Sequence, residues 1–427
     1  MPREQLRELQ LERMQRSVQH AYDNVAFYQR SFKEAGVEPG DLKSLDDLAK
    51  FPFIVKQDMR NSYPYGLFAV PGKDVARIHA SSGTTGQATV VGHTRSDLDN
   101  WGDCFARGIY MVGGGPESTI QVSYGYGLFT GGLGAHAGGE AMGCAVIPTS
   151  SGNTKRQVQM MKDCGTDILA CTPSYALLIA DTAIEMGYDP ATEFKISGVI
   201  LGAEPASENM RQEIRDKLGV QYCDVYGLSE VMGPGVAMEC AASNGLHLAE
   251  DQFFAEIVDP DTLEPVPDGT YGELVFTTLV RECCPLVRYR TRDVTRIIAE
   301  ECSCGRTHRK IDRIVGRTDD MLIIRGVNVF PSQIEQVITG FPEIAPQYQI
   351  ILTNKGPLDR VELDVETVPD YPFDEIRKLE NLKKRLAAEL KSNLQIAVDI
   401  KIVEPKTIER SEGKAKRIID LREGKKA

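Results

Sequence analysis

The sequence predicts an α/β protein in two parts. A large N-terminal domain carries mostly parallel sheets and helices plus a β-rich part, and a small α+β C-terminal domain follows. Three observations support this. The chain has 427 residues, beyond the size at which a single core usually keeps growing. From about residue 95 to residue 225 short apolar runs alternate with helical patterns, the signature of βαβ units. Past the glycine-bounded stretch Gly316–Gly326 enough chain remains for a domain with its own core. The expected division is 1–318 and 319–427.

Leu6, Leu9, Met14, Val18, Ala21 and Val25 recur at near-helical spacing and predict a packed helix within 3–30. Pro52, Pro64 and Pro71 punctuate an irregular segment. Apolar runs at 118–122, 145–148, 168–171, 198–201 and 221–225 predict strands, with helices expected over 156–162, 175–186 and 208–218. After residue 230 the pattern shifts to strands and turns, at 255–258, 273–276 and 294–298. The second domain offers strands at 347–352, 361–368 and 398–403. Its helix, at 373–394, carries Leu379, Leu382, Leu386 and Leu390 on one face. The lysine-rich end, Lys414–Lys426, reads as a solvated tail.

Composition bounds the function. A net charge of −12 argues against broad nucleic-acid or anionic-membrane binding. No apolar run approaches the ~20 residues of a spanning helix, and Met1–Arg16 lacks the apolar core of a secretion signal. Ten cysteines then read as thiols in a reducing cytoplasm, with metal ligation by some of them open.

Ser81, Ser82, Gly83, Thr84, Thr85 and Gly86 form a loop rich in glycine and hydroxyls after an apolar run. Glycines let backbone N–H groups curl toward an anion, and hydroxyls add donors, which suits a nucleotide triphosphate. No Walker A pattern occurs in the chain. Downstream, Gly202-Ala203-Glu204-Pro205 follows a strand and precedes a helix, a usual place for a ligand-lining turn. Tyr226-Gly227-Leu228-Ser229-Glu230 offers an aromatic face for a base and a carboxylate for Mg²⁺. Asp293 offers a carboxylate for a ribose diol, and Lys414 stands on a glycine-containing loop near the end. Gly132-Leu133-Gly134-Ala135-His136-Ala137 matches a loose dinucleotide pattern but lacks the acidic partner in a βαβ context, and is discounted.

In this order the elements resemble the adenylate-forming superfamily of acyl-CoA synthetases, adenylation domains and luciferases, and within it the phenylacetate–CoA ligases. The resemblance runs from Tyr22 to Arg417. It is most specific at 81–86, at Tyr124-Gly125-Tyr126-Gly127-Leu128-Phe129-Thr130-Gly131-Gly132, and at Glu409-Arg410-Ser411-Glu412-Gly413-Lys414. It implies ligation of an aryl acid to coenzyme A by way of an acyl-adenylate. The substrates would be the acid, ATP with Mg²⁺, and coenzyme A, handled by a cytoplasmic homodimer. Lys414 would bridge the carboxylate and the α-phosphate, Glu230 would hold Mg²⁺, and loop 81–86 would cradle the β- and γ-phosphates. Gly202, Ala203, Glu204, Pro205, Asp224, Tyr226, Gly227, Ser229, Asp293 and Arg317 would line the nucleotide. Tyr124, Tyr126, Phe129 and His136 would form the acid pocket, against the plainer reading that they only pack the sheet. Asp319 with Asp320 would be the hinge of a swinging C-terminal domain, and Arg325-Gly326 would approach coenzyme A. Ala88-Thr89 replace the Pro-Lys usual in the wider superfamily, a departure that the phenylacetate branch shares. Which cation assists the departing pyrophosphate is then open. The rival readings are a relative that passes the adenylate elsewhere or transfers AMP itself, as coenzyme F390 synthetases do, and a non-catalytic nucleotide-binding module.

Cys302-Ser303-Cys304 resembles half of a zinc knuckle, which Cys240 and His247 could complete, with His308 as a competing ligand. The alternative is buried free thiols.

Overall fold

The structure, a computed structural model, describes residues 1–81, 88–318, 322–324, 327–329, 331–355, 358–373, 375–394, 396–410 and 417–422. Its centre, among the described residues, is a nine-stranded sheet. Strands Gln221–Leu228, Gly198–Gly202, Ile168–Cys171, Thr119–Val122 and Ala145–Ile147 lie side by side in parallel. The two inner strands Gly198–Gly202 and Ile168–Cys171 are short and fully buried, as expected of a sheet covered on both faces by helices. Thr119–Val122 sends its chain toward one edge and Ile168–Cys171 toward the other. The carboxyl ends of these two neighbours flank a topological switch point, the usual crevice for a ligand. Antiparallel strands Gly233–Glu239, Leu246–Leu248, Lys310–Ile311 and Ile297–Ile298 extend the other side.

The parallel strands and the helices Thr154–Asp163, Pro173–Glu185 and Glu208–Leu218 stand where the apolar periods place them. The N-terminal helix does not run through 3–30. It breaks at Val25, which is extended and 1 % exposed, giving Arg3–Asn24 and Ala26–Ala35. Burying this β-branched side chain in the core outweighs continuing the helix. The discounted dinucleotide pattern lies inside helix Gly131–Met142. There a Cβ at Gly134 would collide with Trp101 of helix Arg95–Met111, and one at Gly132 with the Gly125 carbonyl, so these glycines serve close packing.

A second, four-stranded antiparallel sheet joins Phe253–Val258, Gly272–Thr278, Tyr289–Thr295 and Gly316–Arg317. It shares a core with the N-terminal helices, where Tyr28, Phe32 and Phe51 pack ring to ring. Strands Arg77–Ser81 and Thr89–His93 form a separate hairpin around the glycine-rich loop.

From Leu322 onward the chain has its own core. Leu382, Leu386, Leu390 and Leu394 of helix Ile376–Leu394 meet Ile350, Leu363 and Val365 of a four-stranded sheet. Part of the expected solvated tail is instead structured. Ile418–Asp420 pairs in parallel with Ile350–Leu352, and Ile418 packs on the core. Its two isoleucines complete that sheet edge, a gain the flanking lysines conceal in composition.

Candidate active site

The candidate residues that the structure describes gather along the carboxyl edge of the parallel strands. Ala80 donates its N–H to the Leu128 carbonyl at 3.0 Å, pinning the base of the glycine-rich loop to the aromatic segment 124–129. Ser81 and Thr89 close the hairpin at either end of the loop, and both hydroxyls are buried without a hydrogen-bond partner among the described residues. Buried hydroxyls in such a state mark a place where a polar ligand completes the shell. Ser82, Gly83, Thr84, Thr85 and Gly86 lie outside the described residues, as do Asp319, Asp320, Arg325, Gly326 and Lys414. Beneath the hairpin His79 and His93 are fully buried against Trp101, which lies 5.2 Å from the His93 ring and donates its indole N–H to the Pro234 carbonyl at 2.9 Å.

Gly202 ends its strand where a Cβ would overlap the Val225 carbonyl oxygen. Ala203 follows at φ +70°, a left-handed conformation that costs a non-glycine residue free energy and is found at ligand-lining turns. The turn sends Ala203 and Pro205 outward and buries Glu204, whose carboxylate accepts the Ser174 N–H at 2.7 Å, in the first turn of helix Pro173–Glu185.

Tyr226, Asp293 and Arg317 come together from three strands. The Tyr226 hydroxyl donates to Asp293 Oδ2 at 2.6 Å, and Arg317 Nη1 lies 2.8 Å from Asp293 Oδ1. The register explains this: Asp293 and Arg317 are opposite in the antiparallel pairing, and a bulge opposite Glu273–Val275 re-aims the chain, with Arg292 at φ +70°. Buried Glu273 holds Arg290 at 2.7 Å, fixing that bulge. Burial pushes the Tyr226 phenol well up, so it stays a donor. Gly227 is required, because any Cβ would overlap the Gly233 carbonyl, and Ser229 bonds the Thr130 hydroxyl at 3.0 Å.

Asp224 faces inward. It pairs with fully buried Arg211 at 3.1 Å, beside Glu239, and burial raises its carboxyl to about 6. Its described contacts tie helix Glu208–Leu218 to the sheet.

Glu230 is 4 % exposed, and Arg281 holds the peptide that follows it through the Val231 carbonyl at 2.5 Å. Lys56 Nζ lies 2.8 Å from Glu230 Oε1, an ion pair that sets a cation against this buried carboxylate. Lys56 is the residue that sequence reasoning missed. It opens a short helix, Lys56–Asn61, in the proline-punctuated segment, with no motif around it.

Of the aromatic candidates, Tyr124 is buried, with its hydroxyl 3.4 Å from the Ile200 carbonyl. Tyr126 contacts His136 Nδ1 at 3.1 Å, and His136 in turn lies 3.2 Å from Glu140. Phe129 is 55 % exposed at the mouth of the crevice. The cysteine cluster stands apart: Cys240, His247, Cys302 and Cys304 converge at the antiparallel side of the main sheet.

The AMP-binding enzyme family matches residues 6–278, and the AMP-binding enzyme C-terminal domain matches 326–422. The chain is 47% identical to phenylacetate-coenzyme A ligase of Thermus thermophilus, covering 99% of this chain and 98% of that one. It is 49% identical to the ligase of the same name from Aromatoleum evansii, over 98% of this chain and 95% of that one. Among solved structures it is similar to a 2-hydroxyisobutyryl-CoA ligase in the postadenylation state with an acyl-AMP bound. The TM-score is 0.91 at 27% identity, covering 98% of this chain and 90% of that one. With the same ligase in its thioesterification state the TM-score is 0.72, at 29% identity over 99% of this chain and 91% of that one. This chain belongs to the adenylate-forming AMP-binding enzymes, in the phenylacetate–coenzyme A ligase family.

Proposed function

We propose that the protein joins phenylacetate, or a closely related aryl acid, to coenzyme A. The reaction is ATP-dependent and runs through an acyl-adenylate, releasing pyrophosphate and then AMP. The observation that carries this reading is the near-full-length similarity to phenylacetate-coenzyme A ligases.

In the first step a carboxylate oxygen attacks the α-phosphorus and pyrophosphate leaves. In the second the coenzyme A sulfur attacks the acyl carbon, AMP leaves, and the thiol proton goes to solvent. Both partners of the first step are anionic, so cations must stand where charge develops. Lys414 supplies one at the α-phosphate. Lys56 supplies a second beside Glu230, where the superfamily lysine is replaced by Thr89. Glu230, a buried carboxylate, suits the Mg²⁺ that accompanies the nucleotide, which would share it with Lys56. The Ser81 and Thr89 hydroxyls border the phosphate loop 81–86. Tyr226 and the turn 202–205 flank the adenine, and Asp293, braced by Arg317, accepts from the ribose hydroxyls. Tyr124, Tyr126, Phe129 and His136 face the acid from the switch-point crevice.

The separate apolar core beyond Leu322 supports a division at 318/319, with Asp319 and Asp320 as the hinge and Arg325-Gly326 meeting coenzyme A in the second arrangement. A homodimer in the cytoplasm is proposed from the family resemblance; among the described residues no helix is long and apolar enough to cross a membrane.

The test is pyrophosphate release over phenylacetate, its hydroxy and indole analogues, benzoate and short fatty acids, with coenzyme A present and absent. Phenylacetate or a ring-substituted relative should give the highest kcat/KM, with AMP and thioester formed in equal amounts. Preference for a fatty acid, or AMP transfer without coenzyme A, would refute it.

A further inference from the structure

Outside the candidate active site the molecule gathers one set of metal-ligating side chains among its described residues. Cys240 follows strand Gly233–Glu239, His247 sits in strand Leu246–Leu248, and Cys302 and Cys304 lie in the turn before strand Lys310–Ile311. Sheet pairing puts these segments side by side: Met238 faces His247, and His247 faces Lys310. One ligand atom from each residue falls within 4.8 Å of all the others.

The distances fit a tetrahedron. Zn–S bonds of about 2.3 Å and a Zn–N bond of about 2.0 Å at tetrahedral angles put sulfurs about 3.8 Å apart and sulfur about 3.5 Å from nitrogen. Cys240 Sγ and Cys302 Sγ are 3.6 Å apart, and Cys304 Sγ is 3.4 Å from His247 Nε2. Sulfurs at 3.6 Å are too far apart for a disulfide, which needs about 2.05 Å.

The surroundings orient the ligands. His247 Nδ1 lies 3.2 Å from the His308 carbonyl, an acceptor that places the proton on Nδ1 and frees Nε2 for the cluster. His308, the competing candidate, directs its own Nδ1 to the Leu248 carbonyl at 2.8 Å and stands out of the set. Cys240, His247 and Cys302 are buried, and Cys304 alone is half-exposed at the rim. Four protein ligands leave no open position for substrate or water, which is the pattern of a structural site rather than a catalytic one.

We infer that Cys240, His247, Cys302 and Cys304 bind one Zn²⁺ that clamps the turn around residue 303 onto the antiparallel side of the main sheet. The same turn anchors the chain's beginning. The Thr307 hydroxyl donates to the Met1 carbonyl at 2.7 Å, and Arg309 and Arg3 share the buried carboxylate of Glu250. The metal thus closes a loop of sheet that also seats helix Arg3–Asn24.

The test is elemental analysis and cobalt substitution on the full-length protein, produced with zinc and dialysed against chelator. The expected result is about one zinc per chain. A mercurial thiol reagent should release it, and Co²⁺ in its place should show the visible bands of a tetrahedral thiolate-rich site. Cys304→Ser, the half-exposed ligand, should weaken zinc retention at least tenfold, while Cys164→Ser, at an exposed cysteine outside the cluster, should leave it unchanged. If the Cys304 variant does not fold, the cobalt spectrum of the unaltered protein decides. Less than a tenth of a zinc per chain, an octahedral cobalt spectrum, or iron in place of zinc would overturn the assignment.

Discussion

At the scale of single residues, the site is a set of charges positioned by neighbours distant in sequence. Asp293 is held by Tyr226 and Arg317, and Glu230 is met by Lys56. In the proposed second step the coenzyme A sulfur attacks a neutral acyl carbon, whereas in the first an anionic carboxylate must approach an anionic phosphate. Cations that neutralise the first step should therefore matter to it alone. Lys414→Ala is expected to lower adenylate formation about 10²–10³-fold, yet still convert a preformed acyl-adenylate to thioester. Pyrophosphate exchange and single-turnover thioester formation separate the two, and an equal loss in both would remove the role assigned to Lys414. Most of the polar residues of the site were legible because they sit in short motifs with recognisable order. Lys56 was not legible, since a lone lysine at the start of a short helix gives no pattern. Asp224 was legible only as a neighbour of Tyr226. Its side chain pairs with Arg211, on the helix before the strand, and the motif does not record that partner.

The hairpin of Arg77–Ser81 and Thr89–His93 has a histidine-lined underside. Burial holds His93 well below the ordinary histidine range and lowers His79 in the same direction. The charges facing them, Arg77 and Arg281, add to the effect. In the unfolded chain both rings titrate near about 6.5. Below that value the unfolded chain takes up protons that the native one refuses. Their contribution to stability is therefore complete above it and is lost as the pH falls, at up to about 1.4 kcal/mol per pH unit for each ring. His93→Phe should flatten this dependence in denaturant unfolding between about pH 7.5 and pH 5.5. Identical slopes for both proteins would show that the ring protonates freely in the native state. The parallel strands were readable as apolar runs, because both faces are covered. Two elements were not: the break at Val25, decided by burial, and the strand Ile418–Asp420, whose partner lies far back in the chain.

For the whole molecule, similarity to one solved ligase is 0.91 in its postadenylation state and 0.72 in its thioesterification state. The arrangement described here is therefore more similar to the postadenylation state. Contacts across the junction fit a reversible docking. Lys406 and Glu185 pair at 2.6 Å with both side chains exposed, and such a surface pair contributes little free energy. Locking it should arrest the cycle. With Glu185→Cys and Lys406→Cys joined by a short thiol crosslinker, pyrophosphate exchange should persist while thioester formation falls at least tenfold, and a cleavable linker should restore it on reduction. Full thioester formation in the crosslinked protein would mean that no such rearrangement is needed. The existence of two lobes could be read from length and from the glycine-bounded stretch before residue 327. Their relative setting could not, because it depends on exposed residues with no signature of their own.

Trp101 is the chain's only tryptophan, and it lies stacked on His93 under the hairpin of Arg77–Ser81 and Thr89–His93. The protein thereby carries a single indole beneath this hairpin, which excitation at the red edge separates from its tyrosines. An imidazolium quenches indole emission where a neutral ring does so far less, so the emission intensity doubles as an optical readout of the charge on His93. Changes in the hairpin on filling the site would register in the same channel, without any label.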